Sequence, residues 1–501
     1  MADVNYEIPE IQDEIETPRL KEGASAHLGP YPAQEKHMAP LGFPAARVED
    51  WQSKGVEKLG ELLKKYRSLQ VYLDICVKCG ACADKCHYYL GTRDPHNMPV
   101  QRAELMRGVY RRYFTPAGKL LPGVVRAHDF DEETLKKWVT YFHQCSQCRR
   151  CSVFCPYGID TAEISMAARE IMDSIGVGHK YTTEIVGKVH TIGNNLGIPQ
   201  PALKGTLEFL EEDMLDTSGH EIRLPLDQPG AEVLLVAPSA DFFSEPHIQS
   251  LMGYAKVFHQ AGISFTISSY ASEAANFGMF IGSFDQKRKI AARIAKQARE
   301  LGVKRLVVGE CGHAWRVAYS FWNTLAGPWD FLDPNYPVPQ HICEFTYDLY
   351  KKGALVFDRD ANDDKVVTFH DSCNVARATR MGDRPGGQMM IPRELIRATC
   401  NRFVEMDPDT IGEKTFCCGG GGGLLTDELM ELRVKGAMPR VTALKRVMED
   451  KEVNFLGLIC AICKAQFSKI LPIYGIPMET VGGVHQLVSN AIQLGAKRGI
   501  V

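Results

Sequence analysis

The sequence predicts a multidomain α+β protein, in which an α-helical, cysteine-rich module precedes a duplicated α/β unit. Three observations predict this architecture. Two tight groups of four cysteines lie before residue 156, short β-branched runs alternate with helical stretches after residue 230, and the second half of that region repeats the first. The length of 501 residues corresponds to about two to four domains.

Composition and charge exclude several classes of protein. Apolar residues make up 45% of the chain and charged residues 24%, which is typical of a folded globular protein. The 58 basic and 61 acidic side chains give a net charge of −3, which argues against a nucleic-acid-binding protein. The longest apolar run, residues 455–463, is much shorter than the roughly 20 residues of a membrane span, and the first residues lack the features of a secretory signal. We therefore expect a cytoplasmic protein without a membrane span of its own.

Helical periodicity surrounds the two cysteine groups. Apolar residues recur at helical spacing over three stretches, which are residues 56–73, 100–112 and 161–175. This pattern predicts a compact helical domain over residues 56–180. An extended arm rich in Pro, Glu and Gly precedes it over residues 1–55, and a helical connector follows it over residues 181–230.

The region after residue 230 has the pattern of a parallel α/β fold that occurs twice. The predicted strands are residues 233–237, 264–268, 305–308, 366–370, 403–406 and 454–459, and the predicted helices are 286–301, 392–400 and 427–449. Segments 233–240, 276–278 and 304–311 align with 366–373, 417–419 and 454–460. We therefore predict a first repeat over residues 231–350 and a second over 351–501, the first having lost all but one of the aligned cysteines.

Eight of the sixteen cysteines form two motifs with the spacing C-x2-C-x2-C-x3-C. In a reducing compartment such cysteines indicate metal ligands rather than disulfides. This spacing is typical of two-cluster bacterial ferredoxins, in which three cysteines of one motif hold a cubane and the fourth reaches the other. We therefore assign one [4Fe–4S] cubane to Cys76, Cys79, Cys82 and Cys155, and a second to Cys145, Cys148, Cys151 and Cys86. Zinc, the alternative, uses two separated C-x2-C pairs and does not explain a run of four that occurs twice.

Another group of cysteines lies in the predicted second repeat and comprises Cys373, Cys417, Cys418, Cys460 and Cys463. Adjacent cysteines cannot both bind a single tetrahedral ion without strain, so their combination with a remote C-x2-C indicates a multi-iron site. The glycines that follow the pair, beginning with Gly419, Gly420 and Gly421, allow the backbone to approach such a core with its amide N–H groups. For a glycine run alone, a flexible loop or a phosphate cradle is the alternative.

Together with the two ferredoxin motifs, the segments HDSC (370–373), CCGGGGG (417–423) and CAIC (460–463) resemble the CCG-domain subunits of heterodisulfide reductases. The resemblance covers residues 70–500 and is strongest to the HdrD-like, DsrK-type subunits of DsrMKJOP membrane complexes in dissimilatory sulfur metabolism. It implies one noncubane [4Fe–4S] cluster, bound by the five cysteines of the second repeat, at which an S–S bond is cleaved.

The resemblance also implies partners. Electrons would come from quinol through a haem b membrane subunit of the DsrM type, within a complex that contains the other DsrMKJOP-type subunits, and in sulfur oxidisers the reverse direction of electron flow is the alternative. The substrate would be a disulfide or trisulfide of a small DsrC-like sulfur-carrier protein. The chain would then lie peripherally on the inner face of the cytoplasmic membrane.

Several further residues are candidates for a role at these sites. His370 and Asp371 end a predicted strand beside Cys373, where they would deliver a proton to a leaving thiolate or, equally, orient the loop. Glu310, Cys311 and His313 lie where the first repeat corresponds to Cys460, and a pseudo-twofold relation of the repeats would bring them to the same cleft. Cys311 is a candidate additional thiol there, with a buried structural cysteine as the alternative. His87 replaces the proline that usually follows the fourth cysteine, which we expect to alter the turn or the hydrogen bonding to sulfur.

Three other functions fit the same motifs. The chain would be a methanogen-type heterodisulfide reductase acting on small thiols, an electron-transfer subunit of a glycolate or glycerol-3-phosphate dehydrogenase, or a non-catalytic electron-transfer scaffold. No GxGxxG fingerprint follows a predicted strand, so any flavin would lie on a partner. A paramagnetic signal that depends on the thiol substrate would distinguish catalysis from relay.

Overall fold

An α-helical region precedes two parallel β-sheets in the computed structural model, which describes residues 35–273 and 276–496. The helices before the first sheet are α1 Glu35–Met38, α2 Trp51–Lys65, α3 Arg67–Asp74, α4 His87–Thr92, α5 Pro99–Phe114, α6 Pro116–Leu120, α7 Glu132–His143, α8 Arg150–Val153, α9 Thr161–Ser174, α10 Lys180–Ile192 and α11 Gln200–Ser218. Aspartate side chains cap two of them, since Asp131 accepts a hydrogen bond from the Thr134 amide and Asp160 from that of Ala162. The predicted helix at residues 56–73 is two helices, because Tyr66 is extended (φ −116°, ψ 90°).

The described part of the predicted extended arm is partly helical. Met38 and Leu41 are buried, and the Gln286 side chain donates a hydrogen bond to the Leu41 carbonyl over 2.7 Å. Residues 35–41 are therefore held against the α/β region by packing that a local sequence pattern does not reveal. The rest of the arm, residues 1–34, lies outside the described residues.

The first sheet contains four parallel strands in the order β2-β1-β3-β4. The strands are β1 Val233–Val236, β2 Phe265–Ile267, β3 Arg305–Val308 and β4 Gln340–His341, and the helices are α12 His247–Ala261, α13 Asn276–Phe280, α14 Phe284–Leu301, α15 Gly312–Val317, α16 Asn323–Ala326 and α17 Ile342–Lys351. Every residue of β1, β2 and β3 is buried, which is typical of a parallel sheet covered by helices on both faces.

The second sheet contains three parallel strands in the order β5-β6-β7. The strands are β5 Val367–Phe369, β6 Phe455–Leu458 and β7 Val481–Gly483, and the helices are α18 Cys373–Ala378, α19 Gly387–Thr399, α20 Met430–Lys451, α21 Ala461–Ile470 and α22 Val484–Ala491. The strand predicted at residues 403–406 is wrong, because the segment makes only one bridge, between Phe403 and Val367. Two backbone hydrogen bonds, with Arg402 and Val404, join the segment to Val367, and Glu405 beyond them pairs with Arg393 of α19. Strand β7 was not predicted because two of its three residues are glycines.

The two sheets confirm the predicted α+β architecture with a duplicated α/β unit. Cys311 follows β3 and occupies the N-cap position of α15, and Cys460 follows β6 and occupies that of α21, with nearly equal backbone angles (φ −136°, ψ 108° and φ −145°, ψ 120°). Since the carboxyl ends of parallel strands lie along one sheet edge, equivalent loops of the two repeats carry these cysteines.

The helical module packs against the second repeat through α4 and α20. A Cβ atom on Gly91 of α4 would lie 1.8 Å from the Lys435 carbonyl oxygen, and one on Gly436 of α20 would lie 2.3 Å from the Tyr88 ring. The absence of side chains at both positions is thus what allows the two helices to approach so closely. Among residues 35–273 and 276–496, no helix has the length and apolar content needed to cross a bilayer.

Candidate metal centres

The first ferredoxin-type site lies at the surface of the helical module. Its four predicted ligands, Cys76, Cys79, Cys82 and Cys155, line one cavity. Cys79 is exposed, and the other three are partly buried. The structure therefore brings the fourth cysteine of the second motif to the first three cysteines of the first.

The second ferredoxin-type site combines three cysteines of the second motif with the last cysteine of the first. Cys86, the last cysteine of the first motif, lies beside Cys145, Cys148 and Cys151, so that all four are close enough to interact electrostatically. Both C-x2-C-x2-C loops use left-handed residues at the same two positions. These are Lys78 (φ 58°) and Gly80 (φ 79°) in the first loop, and Gln147 (φ 57°) and Arg149 (φ 62°) in the second. Two such residues turn the chain around a common centre, so that three thiols point inwards.

Arginine side chains attach the second site to the α/β region. Arg377 of α18 donates a hydrogen bond to the Cys148 carbonyl over 2.6 Å. Arg169 of α9 is fully buried and donates to the carbonyls of Cys145 (2.7 Å) and Gly422 (2.8 Å). The second site thus lies at the interface of the helical module with the second repeat, whereas the first site faces solvent.

The five cysteines of the second repeat lie together in the interior, each at most 3% exposed. They come from three places, because Cys373 begins α18, Cys417 and Cys418 precede the glycine run, and Cys460 and Cys463 lie at the start of α21. Their thiols form a continuous set of contacts, in which Cys417 contacts Cys373 and Cys418, while Cys463 contacts Cys418 and Cys460. The structure therefore brings together all five predicted ligands.

The glycine run lies between this cysteine cluster and the second ferredoxin-type loop. The amide of Gly419 donates to the Cys417 sulfur (3.4 Å), which agrees with the expected orientation of amides toward sulfur. A Cβ atom on Gly422 would lie 2.7 Å from the Cys145 carbonyl oxygen, and one on Gly421 would lie 3.1 Å from that of Ser146. The glycines thus also permit a close approach to the helical module, which the sequence did not indicate.

The first repeat contributes Cys311 and His313 to the same cluster. The Cys311 thiol hydrogen-bonds that of Cys460, and His313 Nδ1 lies 3.9 Å from the Cys460 sulfur. Asn374, next to Cys373, lies 3.0 Å from His313 Nε2. Cys311, which aligns with Cys460, is therefore a sixth thiol at the cluster. The contact of Asn374 with His313 was not indicated by the sequence.

His370 and Asp371 differ in what they contact. His370 Nε2 lies 3.6 Å from the Cys463 sulfur, and burial lowers the pKa of this imidazole to about 3. Asp371 forms a bidentate ion pair with Arg393 (2.7 and 2.8 Å) and accepts a hydrogen bond from the Gly412 amide (2.7 Å). These contacts support the orienting role for both residues, since Asp371 is already engaged by a cation and His370 is neutral.

A buried ion pair beside the cluster was not predicted. Lys464 Nζ lies 2.6 Å from Glu310 Oε2, with both side chains fully buried, and His485 Nδ1 lies 2.8 Å from Glu310 Oε1. Glu310, His485 and Cys343 have ligand atoms within 4.8 Å of one another. Because Lys464 already neutralises the carboxylate, these three residues form a structural network rather than a metal site.

The donor sets fit iron–sulfur ligation. All sixteen cysteines lie within the described residues and are free thiols. Thirteen of them are gathered in sets of four, four and five, and thiolates are the ordinary ligands of iron–sulfur clusters. Of the remaining three, Cys311 belongs to the third set, and Cys343 and Cys400 are buried in helical packing.

Comparison with known proteins agrees with this arrangement. A 4Fe-4S dicluster domain model matches residues 72–159, and a CCG cysteine-rich domain model matches residues 367–468. The chain is 41% identical over 478 residues to the Hdr-like menaquinol oxidoreductase iron-sulfur subunit 2 of Archaeoglobus fulgidus, covering 89% of this chain and 84% of the relative. The corresponding subunit of Archaeoglobus profundus matches with the same identity and coverage. The dihydromethanophenazine:CoB--CoM heterodisulfide reductase of Methanosarcina mazei has a subunit that is 22% identical, over 85% of this chain and 95% of that protein. The chain therefore belongs to the family of heterodisulfide-reductase-like iron–sulfur oxidoreductase subunits.

Proposed function

We propose that this protein passes electrons from a quinol-linked haem b membrane subunit to an S–S bond, which is cleaved at the cysteine cluster of the second repeat. The substrate proposed is a disulfide or trisulfide of a small, DsrC-like sulfur-carrier protein, within a DsrMKJOP-type complex on the inner face of the cytoplasmic membrane. Reduction of a disulfide consumes two electrons and two protons and releases two thiols. Oxidation of one quinol to a quinone releases two electrons and two protons, so the reaction balances.

The observation that carries the proposal is the position of the third cysteine set. Five buried thiols from three loops lie next to Cys148 of the second ferredoxin-type site, with His87 and the glycine run between them. A purely structural group of cysteines would not require such proximity to a second cluster site. A surface site, an interface site and a buried site therefore follow one another through the molecule.

The chain's own residues have separable roles in this proposal. Two cubanes are assigned to the eight ferredoxin-type cysteines, and one noncubane cluster is assigned to Cys373, Cys417, Cys418, Cys460 and Cys463. Such a noncubane cluster supplies a redox-active site that accommodates a sulfur atom of the substrate. His370 holds Cys463, and Asp371 with Arg393 holds the loop that precedes Cys373. Cys311 and His313 present a thiol and an imidazole to Cys460 from the first repeat.

The proposal is tested by comparing Cys460→Ala with wild type under anaerobic conditions. The oxidised wild-type protein should develop an EPR signal only after addition of its thiol substrate. Cys460→Ala should lose both that signal and S–S cleavage, while both cubanes are still reduced by dithionite. The reason is that the cubane ligands all precede residue 156 and belong to other loops.

A matched control is Cys400→Ala, since Cys400 is equally buried but remote from the cluster loops. This variant should keep the signal and the cleavage activity. A persulfurated carrier protein and small-thiol disulfides are tested in parallel, because a response to small thiols alone would favour the methanogen-type activity. Absence of any substrate-dependent signal in wild type would overturn catalysis and leave an electron-transfer subunit.

A further inference from the structure

Three buried side chains, Arg316, His313 and Asn374, connect the first repeat to the cysteine cluster of the second. Arg316 and His313 are three residues apart on α15, so they lie on the same face of this helix, and Asn374 belongs to α18. Each of the three is at most 2% exposed. A Cβ atom on Gly312 would lie 2.1 Å from Ser372 Oγ, so the beginnings of the two helices pack closely.

The orientation of the Asn374 amide follows from its contact with Arg316. Arg316 Nη1 lies 2.9 Å from Asn374 Oδ1. A guanidinium group has only donors, so the amide atom that faces it must be the oxygen. The Nδ2 atom therefore faces the cluster, 3.0 Å from His313 Nε2 and 3.6 Å from the Cys373 sulfur. Arg316 thus directs both amide hydrogens of Asn374 toward these two partners.

The same contacts fix the position of the proton on His313. The Asn374 Nδ2 atom can only donate, so His313 Nε2 accepts its hydrogen bond. An imidazole that accepts at Nε2 carries its proton on Nδ1. His313 Nδ1 lies 3.9 Å from the Cys460 sulfur, which is therefore faced by an N–H group and not by a lone pair. Two N–H groups from two side chains thus face two different sulfurs of the third cysteine set.

We propose that these three side chains form a positioning network, which directs one N–H group at the sulfur of Cys373 and one at that of Cys460 and so raises the reduction potential of the cluster bound there. The inference rests on the proposed function only in assuming an iron–sulfur cluster at the third cysteine set. Hydrogen bonds to ligand sulfur stabilise the reduced, more negative state of such a cluster and thereby raise its potential. The first repeat, through α15, thus acts on a cluster whose five assigned ligands all lie in the second.

The test is a potentiometric titration of anaerobic, iron-replete protein without substrate, in which EPR follows each cluster. Asn374→Leu keeps the approximate size of the side chain but donates to neither partner, so the potential of the cluster at the third cysteine set should fall. We expect its reduction equilibrium constant to fall about tenfold, equivalent to about 59 mV for one electron. In Asn374→Asp a carboxylate oxygen replaces the N–H group beside the Cys373 sulfur, so the potential should fall at least as far.

Both cubanes serve as internal controls, because the Asn374 side chain bonds to none of their eight cysteines, and their potentials should not change in Asn374→Leu. Asn362→Leu is the packing control, since it removes an equally buried amide that donates to the carbonyls of Thr399 and Leu487 and not to a cysteine ligand. It should leave all three potentials unchanged. An unchanged or raised potential of the third cluster in Asn374→Leu, or an equal shift of all three clusters, would overturn the proposal.

A second measurement covers the case in which Asn374→Leu fails to assemble its clusters. Wild-type protein labelled with ¹⁵N at the side-chain amides of asparagine should show a ¹⁵N hyperfine coupling on the EPR signal of the reduced third cluster. Absence of that coupling would contradict the proposal, and so would its persistence in Asn374→Asp, which has no amide at this position. A wild type with only about 8 irons and no third cluster would contradict the proposed function together with this inference. A third cluster that is present but shows no coupling would contradict this inference alone.

Discussion

Glu310 and Lys464 form an ion pair between the two repeats that water does not reach. Glu310 follows β3 of the first repeat, and Lys464 lies in α21 of the second, one residue after Cys463. Ser250 also donates to the carboxylate, over 2.9 Å, and Lys464 donates to Ser250. A charge left alone at such a position has no solvent to compensate it, so each partner depends on the other.

We expect Glu310→Gln to lower the free energy of unfolding by about 3–5 kcal/mol, because it leaves Lys464 buried without its counter-charge. The matched control is Glu232→Gln, whose carboxylate pairs with Arg305 but is 42% exposed, and whose loss should cost less than about 1 kcal/mol. Anaerobic urea denaturation of both variants measures the difference. Equal losses for the two would contradict the dependence on burial.

The effect of Glu310→Gln should not change between about pH 6 and pH 8. Burial alone would raise the pKa of Glu310, but Lys464 and His485 outweigh it and hold this pKa below its usual value of 4.5. A depressed carboxyl pKa contributes stability that is present above the usual pKa and is lost only as the pH falls below it. If the difference in the free energy of unfolding between wild type and Glu310→Gln disappeared between about pH 6 and pH 8, Glu310 would not be the ionised partner of Lys464.

Two glycines determine how closely the helical module packs against the second repeat. Gly91 of α4 and Gly436 of α20 mark the closest approach of the two helices. This crossing sets the position of His87, because the ring donates to the Gly436 carbonyl itself. A backbone contact between helices thus helps to maintain the distance between the second and third cysteine sets, together with the contact of the glycine run with Cys145.

Gly91→Ala should therefore destabilise the protein by about 1–3 kcal/mol, since its Cβ overlaps the Lys435 carbonyl and neither backbone yields easily. Gly205→Ala in α11 is the control, because a Cβ there meets no atom within 4 Å. Alanine in an open helical position should stabilise the protein by about 0.5–1 kcal/mol. Thermal unfolding followed by circular dichroism measures both, and a stabilising Gly91→Ala would contradict the close crossing.

The three cysteine sets follow one another from the surface of the protein to its interior. Cys79 of the first set is exposed, the second set lies at the interface between the module and the second repeat, and the third is buried. Within the part of the chain that the structure describes, the first set is therefore the one with an exposed cysteine for an external electron donor to approach. This order suits the entry of electrons at the surface and their use inside.

Two cubanes and one noncubane cluster require about 12 irons per chain. Anaerobically purified wild type should contain that amount, and Cys417→Ser should retain about 8, because the third set then lacks a ligand that contacts two others. Iron analysis measures both, with Cys400→Ser as the variant expected to keep the full content. If wild type contained only about 8 irons per chain and Cys417→Ser contained the same number, the third cluster would be contradicted.

The class of chemistry and the order of the domains along the chain could be predicted from local sequence patterns. Ligand spacing is a local property, so two C-x2-C-x2-C-x3-C motifs identified both ferredoxin-type sites, and buried strands such as β1 and β3 were visible as β-branched runs. Two secondary-structure predictions from local patterns were wrong. Residues 403–406 do not form a strand, and the helix predicted at residues 56–73 is broken at Tyr66.

Contacts between residues of distant segments could not be predicted from the sequence, because they depend on the fold of the complete chain. His87 lies 330 residues before Cys417, and Glu310 lies 154 residues before Lys464, so no periodicity or spacing relates them. The glycine run was predicted to approach a cluster, but its contact with Cys145 depends on how α4 and α20 cross. Ligand sets follow from short-range sequence, whereas the separation of the sites and the side chains between them follow from packing, which arises only when the whole chain has folded.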